Sequence, residues 1–310
     1  MPPSKSSLIN LKNLSVKTVG SLFSKTLELK KNFNQYQRSA GVYHSGYKGT
    51  AALLFLEPST RTRFSFEAAC SRAGYHPLIL DGIAGTSLEK GETIEDTIFN
   101  IEAMRPLFFV IRSDDQFDMQ QMVEKISVPI INAGWGKRGH PTQALLDAVT
   151  IFEKRGDLAK QNILFIGDIK HSRVVSSHIE LAATTGSPLA FCAPENFLPE
   201  QITSGVKVFR KLEEALDWAT VIMALRVQKE RHGVDAWFSV EDYRKNFGIN
   251  LDRVQKLNPD SLLMHPGPIN YGVEIESEIL TDPRCVILKQ VENGVFLREA
   301  LIRNLFDGDL

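Results

Sequence analysis

Short apolar runs alternate along this chain with segments of helical period, and that alternation is the pattern of a parallel sheet whose strands are joined by covering helices. The spacing predicts strands over Ala51–Leu56, Pro77–Leu80, Leu107–Ile111 and Pro129–Asn132. A helix over Thr142–Lys154 follows, with Leu145, Leu146, Val149 and Phe152 on one face, which suits a connector between units. The alternation then restarts with Asn162–Ile166, Leu189–Cys192, Thr220–Ala224 and Leu262–Met264. The fold expected is α/β, with two domains, each a parallel sheet flanked by helices. The chain of 310 residues is long enough for two cores, since a domain usually holds about 100 to 200 residues. The boundary is read near Arg155-Gly156-Asp157, and the last helical stretch, Gly294–Leu305, is compatible with either unit.

Charge narrows the partners. Lys and Arg number 36 against 37 Asp and Glu, for a formal net charge of −1. No global field therefore draws the chain to nucleic acid or to an anionic membrane, and any anion binding must be local. The cysteines, Cys70, Cys192 and Cys285, lie far apart without C-x-x-C spacing, so neither a zinc ligand set nor a disulfide framework is read. Buried thiols in a reducing compartment are expected, with no metal and no cofactor. Met1–Asn10 lacks a basic segment followed by a long apolar run, and no window approaches the roughly 18 apolar residues that span a bilayer. A cytoplasmic protein is expected.

The segment Phe55-Leu-Glu-Pro-Ser-Thr-Arg-Thr-Arg-Phe-Ser-Phe-Glu67 leads from an apolar strand into a helix ending near Gly74. It puts Ser59, Thr60, Arg61 and Thr62 at a helix N-terminus, where backbone N–H groups, hydroxyls and a guanidinium together suit a phosphate. This is a phosphate loop without a Walker lysine. Thr86-Ser-Leu-Glu-Lys-Gly-Glu92 precedes a helical pattern over Thr93–Met104; taken alone it reads as a solvated loop with a helix N-cap. In Asn132-Ala-Gly-Trp-Gly-Lys-Arg-Gly-His-Pro-Thr-Gln143, glycines end a strand and His140-Pro141 opens a helix. Proline suits that first turn because its missing N–H needs no partner there. His140 and Gln143 then share a face at a sheet's carboxyl edge, where open α/β sheets hold ligands.

In the second unit, Ile163-Leu-Phe-Ile-Gly-Asp-Ile-Lys-His-Ser-Arg173 reads as strand, turn and helix start, but no G-x-G-x-x-G follows. A nicotinamide cofactor is therefore poorly supported. Arg173 offers a fork for a carboxylate. Ala224-Leu-Arg-Val-Gln-Lys-Glu-Arg231 also follows a strand and places Arg226 and Gln228 two residues apart, a pattern that taken alone reads as a solvated face.

FLEPSTRTRFSFE, SLEKGE, NAGWGKRGHPTQALLD, GDIKHSR, LRVQKER, HPGPINYGVEI and QVENGV occur in this order between Phe55 and Val295. Together they closely resemble the catalytic chain of the aspartate carbamoyltransferase family. The resemblance implies a carbamoyl-phosphate domain over residues 1–155, joined by a returning C-terminal helix over 292–310, and an aspartate domain over 156–291. It implies a homotrimer whose active sites lie between domains and between neighbouring subunits. It also leaves room for a regulatory chain or a dihydroorotase as partner.

The same resemblance assigns roles. Ser59, Thr60, Arg61 and Thr62 hold the phosphate, and Arg112 reaches phosphate and carbonyl oxygen. His140 and Thr62 polarise the carbonyl, while Gln143 and the Pro266-Gly267-Pro268 turn meet the carbamoyl group. Arg173 takes the α-carboxylate of L-aspartate, and Arg226, helped by Gln228, takes the side-chain carboxylate. Ser87 and Lys90 come from the adjacent subunit, and Glu92 braces Arg61. No protein general base stands out, so the leaving phosphate is expected to accept the amine proton. The rival readings are an ornithine-type carbamoyltransferase and a catalytically silent carbamoyltransferase-like subunit. Ornithine's ammonium would meet the cationic fork at Arg226 unfavourably, and Arg61, Thr62, Arg112 and His140, whose loss a silent subunit would show, are all present.

Overall fold

The computed structural model describes residues 7–38, 46–227 and 239–305. The chain forms two compact units, Met1–Val149 with Val291–Leu310, and Thr150–Gln290.

In the first unit the elements run α1 (Val16–Arg38), β1 (Gly49–Phe55), α2 (Thr60–Ala73), β2 (Tyr75–Asp81), α3 (Ile94–Glu102), β3 (Phe109–Ser113), α4 (Met119–Lys125), β4 (Ile130–Trp135) and α5 (Pro141–Arg155). The strands pair in parallel in the order β2-β1-β3-β4. Ala51 to Phe55 are buried on both faces, as a central parallel strand requires. Period-two alternation divides them: Ala51, Leu53 and Phe55 pack with Phe66, Ala69 and Cys70 of α2, whereas Ala52 and Leu54 pack with Ile98 of α3 and Met119 and Met122 of α4. Gly74 ends α2 in the left-handed conformation, at φ 95°, and its N–H returns to Cys70 and Ser71 carbonyls.

In the second unit the elements continue with β5 (Ile163–Ile166), α6 (Arg173–Thr185), β6 (Leu189–Cys192), β7 (Lys207–Phe209), α7 (Leu212–Trp218), β8 (Val221–Ala224), α8 (Val240–Phe247), α9 (Leu251–Lys256) and β9 (Leu262–Met264); the last helix, α10 (Ile287–Asn304), belongs to the first unit from Val291 onward. The parallel order is β7-β6-β5-β8-β9. Strand order reverses at β5 and β8, so a crevice is expected outside their carboxyl ends. Gly167 closes β5 at φ 118°, and a Cβ there would come within 2.7 Å of the Leu225 carbonyl. Glycine therefore lets the β5 and β8 ends approach.

The C-terminal helix packs back on the first unit, as the resemblance implied. The Arg72 guanidinium of α2 sits over the rings of Phe33 in α1 and Phe296 in α10, at 3.9 and 4.6 Å. Lys30 of α1 donates to Asn293 at 2.6 Å, and Ile302 and Leu305 complete the α2-side core.

Three expectations change. The third strand is displaced to Phe109–Ser113, because its ladder continues through Arg112, which pairs with Phe55, after the apolar run has stopped. Backbone pairing does not need apolar side chains at the carboxyl edge. Strand β7 was not anticipated; it is a three-residue edge strand with no fully buried position, and so carries no apolar run. Cys70 and Cys192 are buried, but Cys285 is only partly so. Burial pushes the Cys192 thiol up to about 12 and raises that of Cys285.

Candidate active site

Both sheets present their candidate residues at carboxyl edges. In the first unit, α2 begins directly after β1. Its N-cap Ser59 makes no side-chain capping bond and its first turn carries no acidic residue, so the helix end stays electropositive. Thr62 is buried and Arg61 exposed. Arg63, the second guanidinium of the motif, is engaged elsewhere, pairing with Asp81 and, at 3.1 Å, with Glu67. Arg112 is brought to the same edge by its pairing with Phe55 and by Leu56 N–H, which donates to its carbonyl at 2.9 Å. Glu57 lies 3.6 Å from its Nε. The β3–β4 register shifts between Ile111 and Ser113, an irregularity of the kind that re-aims a side chain.

His140 caps α5 with its carbonyl, which accepts the Gln143 and Ala144 amides at 3.0 and 3.2 Å, and Pro141 is the first helical residue. Both His140 and Gln143 are buried. Gln143 Nε2 donates to Asp147 Oδ1 at 2.9 Å. A carboxylate only accepts, so this bond fixes the amide orientation and leaves its carbonyl oxygen as the end for a donor. The structure thus gathers Ser59–Thr62, Arg112, His140 and Gln143 on one edge.

Ser87 and Lys90 lie on an exposed 3-10 turn, Ser87–Lys90, after β2. Thr93 then caps α3 by accepting the Asp96 amide at 3.0 Å. Glu92 accepts the Thr97 hydroxyl at 2.7 Å.

In the second unit Arg173 opens α6, capped by Ser172, and Arg226 follows β8. Leu225 N–H donates to Ile166 O at 2.8 Å, so the two arginines leave neighbouring strands at the same edge. Gln228 lies outside the described residues. Next to β8, β9 ends at Met264 and is followed by His265, whose Nδ1 accepts Gly267 N–H at 2.7 Å, starting the Pro266-Gly267-Pro268 turn. Asp168 is fully buried, and its Oδ1 lies 2.8 Å from His171 Nδ1, bracing the loop that leads to Arg173.

Sequence reasoning passed over the residue that ties this edge together. Glu274 is buried; its Oε1 accepts Val227 N–H and Asn270 Nδ2, and its Oε2 accepts Asn270 N–H, each at 2.7 Å. Asn270 Nδ2 also donates to Val227 O at 3.0 Å. The residue after Arg226 is thereby clamped to the segment after the proline turn. Burial holds the Glu274 carboxyl above the usual carboxylate range, against those hydrogen bonds. No sequence spacing announces such a clamp, because its partners are 47 residues apart. Also missed were Asp147 and a buried guanidinium, Arg298.

Among the described residues no group of three or more His, Cys, Asp or Glu side chains could hold a metal, and no helix is long and apolar enough to cross a membrane.

Two family profiles cover this architecture. "Aspartate/ornithine carbamoyltransferase, carbamoyl-P binding domain" matches residues 6–153, and "Aspartate/ornithine carbamoyltransferase, Asp/Orn binding domain" matches 159–305. The chain belongs to the aspartate/ornithine carbamoyltransferase family. It is similar to the aspartate carbamoyltransferase catalytic subunit of Desulfosudis oleivorans, 41% identical over 260 residues, which cover 84% of this chain and 83% of that one. The fold is similar to aspartate transcarbamoylase from Trypanosoma cruzi in complex with carbamoyl aspartate and phosphate, with TM-score 0.84, 28% identity and 97% of each chain covered. It is also similar to ornithine carbamoyltransferase from Pyrococcus furiosus, with TM-score 0.82, 25% identity and 98% of each chain covered. Within the carbamoyltransferase family, overall fold therefore does not choose the acceptor; side chains at the edge of the second sheet must.

Proposed function

We propose that this chain is an aspartate carbamoyltransferase. It transfers the carbamoyl group of carbamoyl phosphate to the amine of L-aspartate, giving N-carbamoyl-L-aspartate and phosphate for pyrimidine biosynthesis. The observation that carries the acceptor choice is the pair Arg173 and Arg226, leaving adjacent strands at one edge. Two guanidinium forks match two carboxylates bidentately. Ornithine's side-chain ammonium would face Arg226 with like charge.

Residues 1–155 and 292–310 serve carbamoyl phosphate and residues 156–291 serve aspartate. The α2 N-terminus, with Ser59, Thr60, Arg61 and Thr62, takes the phosphate, and Arg112 adds a guanidinium to phosphate and carbonyl oxygens. His140 and Thr62 donate to the carbonyl oxygen; one such donor to a developing oxyanion is worth about 3 kcal/mol. The Gln143 oxygen, oriented by Asp147, accepts from the carbamoyl NH2, with backbone carbonyls of Pro266, Gly267 and Pro268 as further acceptors. Arg173 holds the α-carboxylate of aspartate, and Arg226 and Gln228 hold the other. The amine nitrogen attacks the carbonyl carbon, the C–N bond forms, and the C–O bond to phosphate breaks. The departing phosphate accepts the amine proton, so positioning and electrostatics supply the acceleration.

The working unit is a homotrimer in the cytoplasm, with Ser87 and Lys90 completing a neighbour's site. A subunit contact is supported by apolar side chains exposed on edge strand β2 and just after it, Ile79 at 45% and Ile83 at 46%. A subunit contact would bury such a patch. A regulatory chain or a dihydroorotase is a further partner on this reading.

The test is direct. Purified protein is incubated with carbamoyl phosphate and either L-aspartate or L-ornithine, and carbamoylated product and phosphate are measured. Product from aspartate alone is expected. Product from ornithine would transfer the assignment to that acceptor, and no product from either at high protein concentration would favour a silent subunit or a missing partner chain.

A further inference from the structure

Arg298 of α10 is 3% exposed, and a guanidinium so deeply buried ordinarily pairs with a carboxylate. Among the described residues Arg298 forms no ion pair. It makes two long hydrogen bonds instead, from Nη2 to Thr142 Oγ1 at 3.3 Å and from Nη1 to Gly294 O at 3.4 Å, and its Nε has no protein acceptor. Its carbon Cζ lies 4.9 Å from the Phe66 ring centroid. The charged groups that act on it are Asp147, from beyond ion-pair reach, and Arg112, which repels it; burial is the larger influence and pushes its pKa down to about 9.

The fold makes room for this cation at a cost. Gly294 stands inside α10, where glycine is less favourable than alanine, and a Cβ there would come within 2.8 Å of Arg298 Nη1 and 3.1 Å of Leu146. The groups around the guanidinium belong to the elements that carry the anion pocket: Phe66 to α2, Thr142 to α5 beside His140, and Arg112 to β3. A buried cation short of counter-charge, set between the second turn of α2 and the first turn of α5 and repelled by Arg112, lacks what a phosphate dianion supplies.

We propose that Arg298 is a positioning residue of the anion pocket, whose unpaired buried charge, acting through the low-dielectric interior, helps hold the phosphate of carbamoyl phosphate. The inference rests on the carbamoyl-phosphate reading of the first unit. It differs from a structural role in one respect: removing a structural arginine destabilises the fold, whereas removing an under-paired buried charge does not.

The experiment compares wild type, Arg298→Met, Arg298→Gln and Arg298→Lys, measuring calorimetric affinity for inorganic phosphate and carbamoyl phosphate together with Tm. Arg298→Met keeps an apolar contact with Phe66. Both neutral variants should keep or raise Tm and bind each anion at least about ten-fold more weakly, since a single charge acting on a dianion within protein is worth at least that much. The loss should persist at high salt, because buried charges escape screening. Arg298→Lys should retain most of the affinity. Wild-type affinity in both neutral variants would overturn the inference alone, and so would a fall in Tm, or failure to fold, in both of them. A wild-type protein that binds neither anion would overturn the carbamoyl-phosphate reading, and this inference with it.

Discussion

Replacing Glu274 tests the clamp at the acceptor edge. The buried carboxylate accepts Val227 N–H, Asn270 N–H and Asn270 Nδ2, each at 2.7 Å. Glu274→Ala strands two backbone donors in the interior, and each unsatisfied group costs roughly 1–3 kcal/mol. The substitution also removes a carboxylate that burial disfavours, which returns part of that cost. We therefore expect a net loss of about 3 kcal/mol, within the roughly 3–5 kcal/mol seen when a buried charged network is broken. Glu274→Gln keeps the Oε1 contacts but turns an NH2 toward the Asn270 amide, donor against donor, for a loss of about 1–2 kcal/mol. Urea unfolding followed by intrinsic fluorescence reads the stability, and amide hydrogen exchange reads the protection of Val227 itself. Because Val227 follows Arg226, KM for aspartate should rise in both variants while carbamoyl-phosphate affinity holds. A Glu274→Ala protein within about 1 kcal/mol of wild type, with Val227 still protected, would refute the reasoning.

Other expectations follow from the same geometry. Glu274 has a folded pKa above the ordinary glutamate value, so its ionisation opposes folding; unfolding free energy should fall as pH rises from that ordinary value through the raised one, and Glu274→Gln should flatten this slope. Arg226→Ala should lower kcat/KM for aspartate by about a thousand-fold or more while leaving carbamoyl-phosphate affinity within about two-fold, because truncating one partner of a buried charged pair costs several kcal/mol; steady-state kinetics and calorimetry check the two halves. Gly167→Ala should lower stability by more than about 1 kcal/mol in urea, since its φ is 118° and the new Cβ would meet the Leu225 carbonyl at 2.7 Å. If Lys90 works in a neighbour's site, mixing inactive Lys90→Ala and Arg226→Ala proteins through reversible dissociation should restore part of the activity, and no recovery would place Lys90 in its own subunit's site.

The sequence by itself determined the α/β class, the two groups of strands and the phosphate-binding helix start. Each of these is written locally: β1 as a continuous apolar run, α5 as His140-Pro141 at its opening turn, and the α2 terminus as adjacent hydroxyl and guanidinium residues. Local patterns survive folding because neighbouring residues dictate them. Strand β7 escaped notice because a three-residue edge strand needs no apolar period. The end of β3 escaped because Arg112 is held there by backbone pairing with Phe55, which side-chain type does not report.

Tertiary structure alone decided which polar residues support the site. Arg63 and Arg61 stand two apart in one motif, yet only the fold shows Arg63 engaged by Asp81 and Glu67. Glu274 meets Val227 across 47 residues, and Arg298 meets Thr142 across 156. Their importance comes from burial, which turns an ordinary carboxylate into a clamp and an ordinary guanidinium into a buried charge without an ion-pair partner. Burial is a property of the folded surroundings, and no run of neighbouring residues encodes it.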